Sequence, residues 1–359
     1  MHLACVNQDP GIAPERQKGA AIHLAAMRAA FGSLGARVTA IDSPDAARVG
    51  EALARAHAGE ALDCIYERYA LNAFTAGEFS RAQALPHVLE INAPLADEAA
   101  EHRAQVATVD PVRERDLFAH AKLLLVVSTA LRHWAVQRGA DVDHVLVRPN
   151  AVDSALFRPL PAEARAELGL GPAGRLVLGF HGRLRPWHNF ELLLRATKRL
   201  LAQNVPVHLA CIGDSTLGDR CRERLPADTW SLVPWLPHAE VARRVACFDV
   251  LPLTYAAQEN FYFSPLKLLE AMACAVVPVV PNVGDLAQIV AHGVAGLVYD
   301  AGDLDGLVRL VRELHERPRW RAELGARARE CAERSSWLNV ARDVLARAGL
   351  SARECDHSC

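Results

Sequence analysis

Short apolar segments alternate with amphipathic helical patterns along nearly the whole chain, and this alternation restricts the fold more than any other feature of the sequence. Strands that alternate with helices are typical of parallel sheets covered by helices, so the sequence predicts an α/β protein. The predicted strands are residues 3–6, 37–41, 64–66, 87–91, 123–127, 144–147, 176–180, 207–212, 231–233, 250–251 and 276–280.

The alternation is interrupted once, at residues 148–153, and resumes after a polar helix near 161–168. The length of 359 residues also exceeds one typical domain of about 100 to 200 residues. We therefore predict two doubly wound, Rossmann-like domains. The predicted divisions are a first domain at 1–153, a second at 154–335, a helix at 336–350 with the first domain as its candidate packing partner, and a polar tail at 351–359.

The charges are nearly balanced, with 40 Lys and Arg against 42 Asp and Glu. A net charge of −2 provides no broad positive field, so we expect no nucleic-acid partner and only local recognition of phosphate. Only four of the 40 basic residues are lysines, at positions 18, 122, 198 and 267. A lysine in a special position is therefore informative in this chain.

The sequence predicts a cytoplasmic protein. Its first seven residues have neither a basic leader nor a long apolar run, and no later stretch reaches the roughly 20 apolar residues of a membrane span. The nine cysteines are odd in number and lie mostly in apolar runs, which fits reducing conditions. The arginine-rich helix at 113–122 suggests at most a peripheral membrane contact.

The pattern that points most directly to chemistry starts at Ser264. Ser264 followed by Pro265 predicts a helix start, because serine caps free amides and proline suits the first helical position. The amides of Leu266 and Lys267 would then face an anion such as a diphosphate. Glu270 is an acceptor suited to a pair of ribose hydroxyls. An ordinary capped helix with a Lys267–Glu270 pair explains the same residues equally well.

A second polar segment follows the predicted strand 176–180. The chain turns at Gly182, and Arg183 stands at the carboxyl end of the strand, where doubly wound sheets bind ligands. A guanidinium there can hold a phosphate with two hydrogen bonds. His188 follows at the start of the next helix. Alternatively, Arg183 is one of many solvated arginines and His188 is a capping or surface histidine.

Taken together, these motifs resemble the retaining nucleotide-sugar glycosyltransferases of the GT-B fold, family 4, also called the group 1 glycosyltransferases. The resemblance covers nearly the whole chain and is strongest between residues 147 and 299. The matching segments are the turn at 182–184, the helix start at 266–273, the strand at 277–280, the junction at 148–153, and the segments 211–214, 235–240 and 296–300.

The resemblance implies two Rossmann-like domains facing a cleft, with a donor site in the second domain. It implies that Arg183 and the amides near Leu266 and Lys267 hold the donor diphosphate and that Glu270 binds the ribose. The implied donor-binding set is Gly19, Gly182, Arg183, Trp235, Leu236, Ser264, Leu266, Lys267 and Glu270, with Trp235 and Leu236 near the base and Gly19 near the diphosphate. The implied catalytic set is Arg183, His188, Lys267 and Glu270.

The chain departs from the family pattern at several of these positions. The family has a glutamate eight residues before Glu270, where this chain has Tyr262, and Glu259 is a poorly placed substitute. His188 stands where the family has lysine, so we expect Lys267 to restore the lost charge. Two family glycines are replaced by Ala151 and Ala275, and a left-handed backbone at Ala275 would cost about 1 to 2 kcal/mol.

The first domain offers candidate contacts to the acceptor or the donor sugar. Many family members carry a histidine at the end of the strand that matches 87–91, whereas this chain offers Glu90 and Asn92. We expect Glu90, Asn92 and Tyr262 to contact the acceptor or the sugar hydroxyls. Asp97 and Glu98 follow, and they fit equally well as caps of the next helix.

No metal and no bound cofactor are predicted, and a nucleoside diphosphate sugar is expected as co-substrate. The Asp-x-Asp patterns at 141–143 and 303–305 are too short to indicate a metal site. Cys355, His357 and Cys359 offer only three ligands on a terminal tail. The phosphate-loop, hydrolase and dinucleotide motifs do not occur in the sequence.

The sequence therefore predicts a retaining glycosyltransferase that moves a sugar from a nucleoside diphosphate sugar, with uridine favoured as the base, to a small-molecule or glycan acceptor. Two alternatives stay open: a sugar-nucleotide epimerase of the same fold, and a non-catalytic nucleotide-sugar-binding partner of another enzyme. The sequence does not specify the oligomeric state.

Overall fold

The computed structural model describes residues 1–12, 19–102, 109–168, 170–258 and 261–350. In chain order its strands are β1 (His2–Asn7), β2 (Arg37–Asp42), β3 (Cys64–Arg68), β4 (His87–Ile91), β5 (Leu123–Val126), β6 (Val145–Val147), β7 (Leu176–His181), β8 (Val207–Ile212), β9 (Trp230–Val233), β10 (Val250–Pro252), β11 (Val277–Pro281) and β12 (Leu297–Tyr299).

The helices are numbered in the same way. They are α1 (Gly19–Ser33), α2 (Ala46–Gly59), α3 (Thr75–Ala82), α4 (Leu95–His102), α5 (Pro111–His120), α6 (Thr129–Gln137), α7 (Ala162–Leu168), α8 (Phe190–Ala202), α9 (Ser215–Arg224), α10 (His238–Val245), α11 (Leu266–Ala273), α12 (Leu286–Val290), α13 (Leu304–Glu316), α14 (Pro318–Arg334) and α15 (Trp337–Arg347).

The chain divides into two compact units. Unit 1 contains the described residues of Met1–Asn150, Tyr262–Ser264 and Trp337–Cys359. Unit 2 contains those of Ala151–Phe261 and Pro265–Ser336. The segment Tyr262–Ser264 therefore belongs to unit 1, although the chain on both sides of it belongs to unit 2.

Unit 1 is built on a parallel sheet with the strand order β2-β1-β3-β4-β5-β6. The β1, β3 and β4 strands are buried along their whole length, as expected for strands covered by helices on both faces. The last helix, α15, packs on α1, where the rings of His23 and Trp337 meet edge to face at 4.5 Å.

Unit 2 is built on a second parallel sheet, with the order β12-β11-β10-β7-β8-β9. This is the Rossmann order, in which the connections reverse direction between the first and the fourth strand, so ligands bind beyond the carboxyl ends of these two strands. In this unit the two strands are β7 and β10. Both sheets confirm the predicted α/β class and the doubly wound topology.

The end of α11 adopts the strained backbone considered for Ala275. Ala275 has φ +59°, in the left-handed region that favours glycine, and the chain then enters β11. Ala151 is buried with a negative φ.

Among the described residues, no helix combines the length and the apolar character needed to cross a membrane.

Candidate functional site

The candidate site lies at the carboxyl end of β7, where the strand order of unit 2 reverses. The chain leaves the strand at His181 and turns at Gly182, whose φ of +102° suits glycine. The N–H of Gly182 donates to the carbonyl of Ile212 at 2.9 Å. A side chain at Gly213 would come within 2.6 Å of the Gly182 carbonyl oxygen, so glycine is also required there.

A short 3-10 turn after Gly182 fixes His188. The N–H of Arg185 donates to Nδ1 of His188 at 3.1 Å, and the hydroxyl of Thr254 donates to its carbonyl at 2.8 Å. The buried imidazole packs against the rings of Phe180 and Tyr255, each with a centroid distance of 5.6 Å. His188 is therefore an internal residue of unit 2, and the surface alternative is wrong.

The helix start at α11 differs from the prediction. Ser264 is not the capping residue, because Pro265 occupies that position and provides no side-chain acceptor for the first amides. The hydroxyl of Ser264 instead accepts a hydrogen bond from the N–H of Asn150 at 2.8 Å, within unit 1. The amides of Leu266 and Lys267 thus begin a helix that has no acidic residue in its first turn.

The ammonium group of Lys267 turns back toward the end of β7. Its Nζ lies 3.2 Å from Nε2 of His188 and 4.7 Å from the ring centroid of Phe180. A Cβ at Gly182 would lie 3.9 Å from the same Nζ. Burial lowers the pKa of Lys267 to about 8, although Glu270 opposes the shift. The sequence thus identifies two residues, His188 and Lys267, that the fold brings into contact from segments 79 residues apart.

Glu270 binds two histidines rather than Lys267. Its Oε2 accepts from Nε2 of His181 at 2.8 Å, and its Oε1 accepts from Nε2 of His238 at 3.1 Å. Burial alone would raise the pKa of Glu270, but these two hydrogen bonds outweigh it and lower the pKa to about 2. The carboxylate is 13% exposed, so it combines a permanent charge with access from one side.

His181 and His238 are the site residues that sequence reasoning missed. They lie 89 and 32 residues from Glu270, and the local sequence gives no sign of this pairing. The available signal was position alone: His181 immediately precedes Gly182, and His238 is the first residue of α10.

The two remaining predicted regions of unit 2 are open to solvent. Arg183 is exposed, and no carboxylate of the described chain lies within ion-pair distance of it. Trp235 is 52% exposed and Leu236 is half-buried on the segment that connects β9 to α10. These side chains face solvent, whereas His188 and His181 are buried.

The predicted residues of unit 1 have different surroundings. Glu90 is fully buried and forms ion pairs with His23 and, at 3.5 Å, with Arg68. These partners lower its pKa to about 2 against the opposing effect of burial. The expectation that Glu90 contacts an acceptor is therefore not supported, because the carboxylate is enclosed by its own partners. Asn92 is half-buried just beyond the end of β4.

Tyr262 belongs to unit 1, where its hydroxyl donates to Glu98 of α4 and its ring stacks on Phe263. Gly19 begins α1, and residues 13–18 before it lie outside the described part of the chain. Glu259, considered above as a substitute for the family glutamate, also lies outside the described residues.

The acidic pairs set aside as metal ligands serve as helix caps. Asp141 accepts from the N–H of Asp143, and Asp303 accepts from that of Gly306, both at 3.0 Å. Within the described ranges, no group of three or more His, Cys, Asp or Glu side chains is arranged to hold a metal ion. The tail with Cys355, His357 and Cys359 lies outside those ranges.

Comparison with known proteins identifies the family. Residues 175–317 match the model of the glycosyl transferases group 1. The chain is 31% identical over 304 residues to a D-inositol 3-phosphate glycosyltransferase of Stackebrandtia nassauensis, a match that covers 79% of this chain and 67% of that protein. The chain belongs to the group 1 glycosyltransferases. This confirms the resemblance inferred from the motifs.

A second relative of the same name, from Thermobispora bispora, is 33% identical over 216 residues. That match covers 56% of this chain, and the chain spans 49% of the length of the relative.

Solved structures show the same fold at low sequence identity. Anabaena HepE in complex with UDP has a TM-score of 0.75 and 20% identity, and the match covers 97% of this chain and 100% of HepE. Sucrose-phosphate synthase from Thermosynechococcus elongatus has a TM-score of 0.71 and 18% identity, with 96% of both chains covered. These are GT-B glycosyltransferases, and the fold prediction is confirmed.

Proposed function

We propose that the protein transfers a sugar from a nucleoside diphosphate sugar to a hydroxyl of an acceptor, with retention at the anomeric carbon. The bond between the anomeric carbon and the phosphate oxygen breaks, and a bond from that carbon to the acceptor oxygen forms on the same face. The departing phosphate takes the acceptor's proton, so the reaction needs no separate base.

One observation carries the proposal: positive groups that have no carboxylate partner among the described residues converge on the carboxyl end of β7. Arg183 is exposed there, and the ammonium group of Lys267 points there from the first turn of α11. The first amides of α11 add partial positive charge. Such a set suits the diphosphate, whose negative charge grows as the glycosidic bond breaks, and so binds the transition state better than the ground state.

The Glu270 carboxylate fits the ribose. Each of its oxygens accepts one hydrogen bond from a histidine, at 2.8 and 3.1 Å, and each keeps a further lone pair. Two oxygens held in a fixed plane match two adjacent hydroxyls. We therefore assign His181 and His238 as positioning residues that orient Glu270, and Glu270 itself as the ribose ligand.

The candidate base site rests on solvent exposure, and the candidate acceptor rests on the named relatives. The exposed segment around Trp235 and Leu236 is our candidate for the base. HepE, which shares the fold, was solved with UDP and with UDP-glucose, which makes uridine diphosphates the first donors to test. The relatives named for D-inositol 3-phosphate make an inositol phosphate the first acceptor to test.

The melting temperature of the purified protein, measured with a panel of nucleoside diphosphates and their sugars, tests the donor site. A ligand present at 100 times its Kd adds about 2.7 kcal/mol to the stability of the folded state. We expect one base to raise the melting temperature, and we expect Arg183→Ala and Glu270→Ala to abolish the rise. Arg195→Ala, an exposed arginine on α8, is the matched control and should keep it.

Product analysis then separates the possible activities. A glycoside with the anomeric configuration of the donor supports the proposal. A changed sugar nucleotide formed without any acceptor would indicate an epimerase instead. Binding with neither transfer nor hydrolysis would indicate a non-catalytic nucleotide-sugar-binding protein, and no shift with any nucleotide would contradict the donor site itself.

A further inference from the structure

The contact between Lys267 and His188 is unusual for two groups expected to bind one anion. Nζ and Nε2 lie 3.2 Å apart, in a niche formed by the ring of Phe180 and the bare backbone of Gly182. A lysine ammonium group can only donate hydrogen bonds. If Lys267 is charged, Nε2 of His188 therefore has to be the acceptor.

His188 does not offer that acceptor. Its Nδ1 accepts the N–H of Arg185 at 3.1 Å, so the proton of the neutral imidazole is on Nε2. Nε2–H therefore points at Nζ. The contact is a hydrogen bond only if Nζ carries a lone pair, which means that Lys267 is a neutral amine.

The charges around the pair agree with this assignment. On α11 the nearest acid is Glu270, which is engaged by His181 and His238, and no carboxylate of the described residues lies within ion-pair distance of Lys267. The segment after β7 contributes Arg183 and Arg185, both cationic and exposed. These guanidiniums offer no negative charge to hold an ammonium, and burial of the amine favours its uncharged form.

The pKa shifts have the same direction. Burial lowers the pKa of Lys267 to about 8, with Glu270 opposing. Burial, together with the charges of Lys267, Arg185 and His181, lowers the pKa of His188 to about 3. His188 is thus neutral throughout the range in which Lys267 titrates.

We propose that at alkaline pH Lys267 and His188 form a neutral hydrogen-bonded pair in the empty protein, and that a nucleoside diphosphate bound at the proposed donor site then protonates Lys267 and breaks the pair. The proton comes from solvent. The ammonium of Lys267 and the freed Nε2–H of His188 then both donate to phosphate oxygens. The second half of this inference rests on the proposed function, whereas the first half concerns the empty protein alone.

This arrangement has a physical advantage over two fixed cations. A lysine at position 188 would place a second ammonium beside Lys267, and their repulsion would act on the empty protein. The neutral pair avoids that cost and supplies the charge only when the phosphate arrives. Binding therefore takes up protons, and nucleotide affinity falls as the pH rises above about 8, by up to about tenfold per pH unit.

The small number of lysines makes the pair directly observable. With 15N-labelled lysine, the side-chain nitrogens give only four signals, one for each lysine of the chain. We expect the Lys267 signal to titrate about two units below the ordinary lysine value of about 10.4. Lys267→Arg should remove the signal that titrates at the lowered pKa. Lys198→Arg, on the exposed face of α8, should remove one of the other three signals.

Three further measurements complete the test. His188→Gln should raise the low pKa, because an amide oxygen accepts from an ammonium and favours the charged form. Adding the nucleotide found in the melting panel, at pH about 8.5, should shift the Lys267 nitrogen to its ammonium position, and calorimetry in buffers of different ionisation enthalpy should show uptake of about 0.7 proton per nucleotide. Lys267→Arg should bind without that uptake.

The possible outcomes separate the neutral pair from its coupling to nucleotide binding. Four lysines that all titrate near their ordinary pKa would overturn the neutral pair, whatever binds. A low-titrating lysine with nucleotide binding but no proton uptake would overturn the coupling. A low-titrating lysine in a protein that binds no nucleotide would leave the pair established while overturning both the coupling and the proposed function.

Discussion

Two carboxylates, one in each unit, have similarly lowered pKa values but differ in their access to solvent. Glu90 in unit 1 and Glu270 in unit 2 are both held by histidine, and the pKa of each is lowered to about 2. Glu90 is completely enclosed, with the guanidinium of Arg68 as a further partner. Glu270 is 13% exposed, and its ion-pair partners in the described part of the chain are His181 and His238.

The difference teaches that a strongly lowered carboxylate pKa does not by itself mark a functional group. At Glu90 the charge is neutralised from within the domain by Arg68, and removing the carboxylate would leave that guanidinium buried without it. At Glu270 two histidines, which can be neutral, orient the charge without cancelling it. A carboxylate that is oriented but not cancelled keeps the capacity to bind something else.

The largest expected effect is the loss of stability on removing the enclosed charge. Glu90→Gln leaves Arg68 buried without its carboxylate, and breaking a buried pair costs about 3 to 5 kcal/mol. Urea denaturation measures this, with Glu270→Gln as the matched variant in the other unit. We expect Glu270→Gln to lose less than half as much, because its partners can be neutral. Equal losses would remove the distinction between the two carboxylates.

The lowered pKa values of Glu90 and Glu270 should both affect the stability of the protein in acid. A carboxylate whose pKa falls from 4.5 in the unfolded chain to about 2 in the folded protein adds stability above pH 4.5 and loses it as the pH drops toward 2. For the fully buried Glu90 this amounts to on the order of 3 kcal/mol. The melting temperature between pH 5 and about 2 should fall less steeply in Glu90→Gln than in the natural sequence. Parallel curves would contradict the lowered pKa.

Glu270 should make the protein bind a nucleotide that contains ribose more tightly than one that contains 2′-deoxyribose. We expect a ribonucleoside diphosphate to bind about 10- to 100-fold more tightly than its 2′-deoxy form, since a hydrogen bond to a charged group contributes about 1.5 to 3 kcal/mol. Glu270→Gln should abolish most of this preference. Titration calorimetry with both nucleotides measures it, and Glu90→Gln should keep the preference if it folds. An unchanged preference in Glu270→Gln would contradict its role at the ribose.

The smallest expected effect involves no charge. Ala275→Gly should stabilise unit 2 by up to about 1 kcal/mol, because the left-handed backbone at φ +59° favours glycine, although the more flexible unfolded chain offsets part of the gain. A urea titration of this variant provides a backbone reference for the two glutamate variants. A loss of stability would show that the methyl group of Ala275 contributes more by packing than its conformation costs.

Most of the fold was predictable because buried strands have a simple signature. The predicted β4 and β8 have the observed bounds, and the other predicted strands differ from the structure by one or two residues at an end. The exception is β12, which has only three residues in a glycine-rich stretch and carries too few apolar residues to reveal a period.

Spacing along the chain could group only site residues that are neighbours in sequence, whereas the grouping of His188 with Lys267 came from the family resemblance. Lys267 and Glu270 share a helix, so their common location followed from the helical repeat. The contacts of His181 and His238 with Glu270, and the enclosure of Glu90, depend on which segments meet in the folded unit. Ser264 was misassigned because a capping serine and a serine that binds a distant amide look the same in the sequence.

The segment Tyr262–Ser264 and helix α15 also determine when each unit can be completed during synthesis. Unit 1 holds the first strand of the chain, yet the ring that packs on His23 is that of Trp337, and Asn150 is bonded to Ser264. A ribosome releases nearly the whole of unit 2 before the last piece of unit 1 emerges. The part of the protein translated first is therefore finished last, and a fragment that ends at residue 150 would expose the face of α1 that α15 covers.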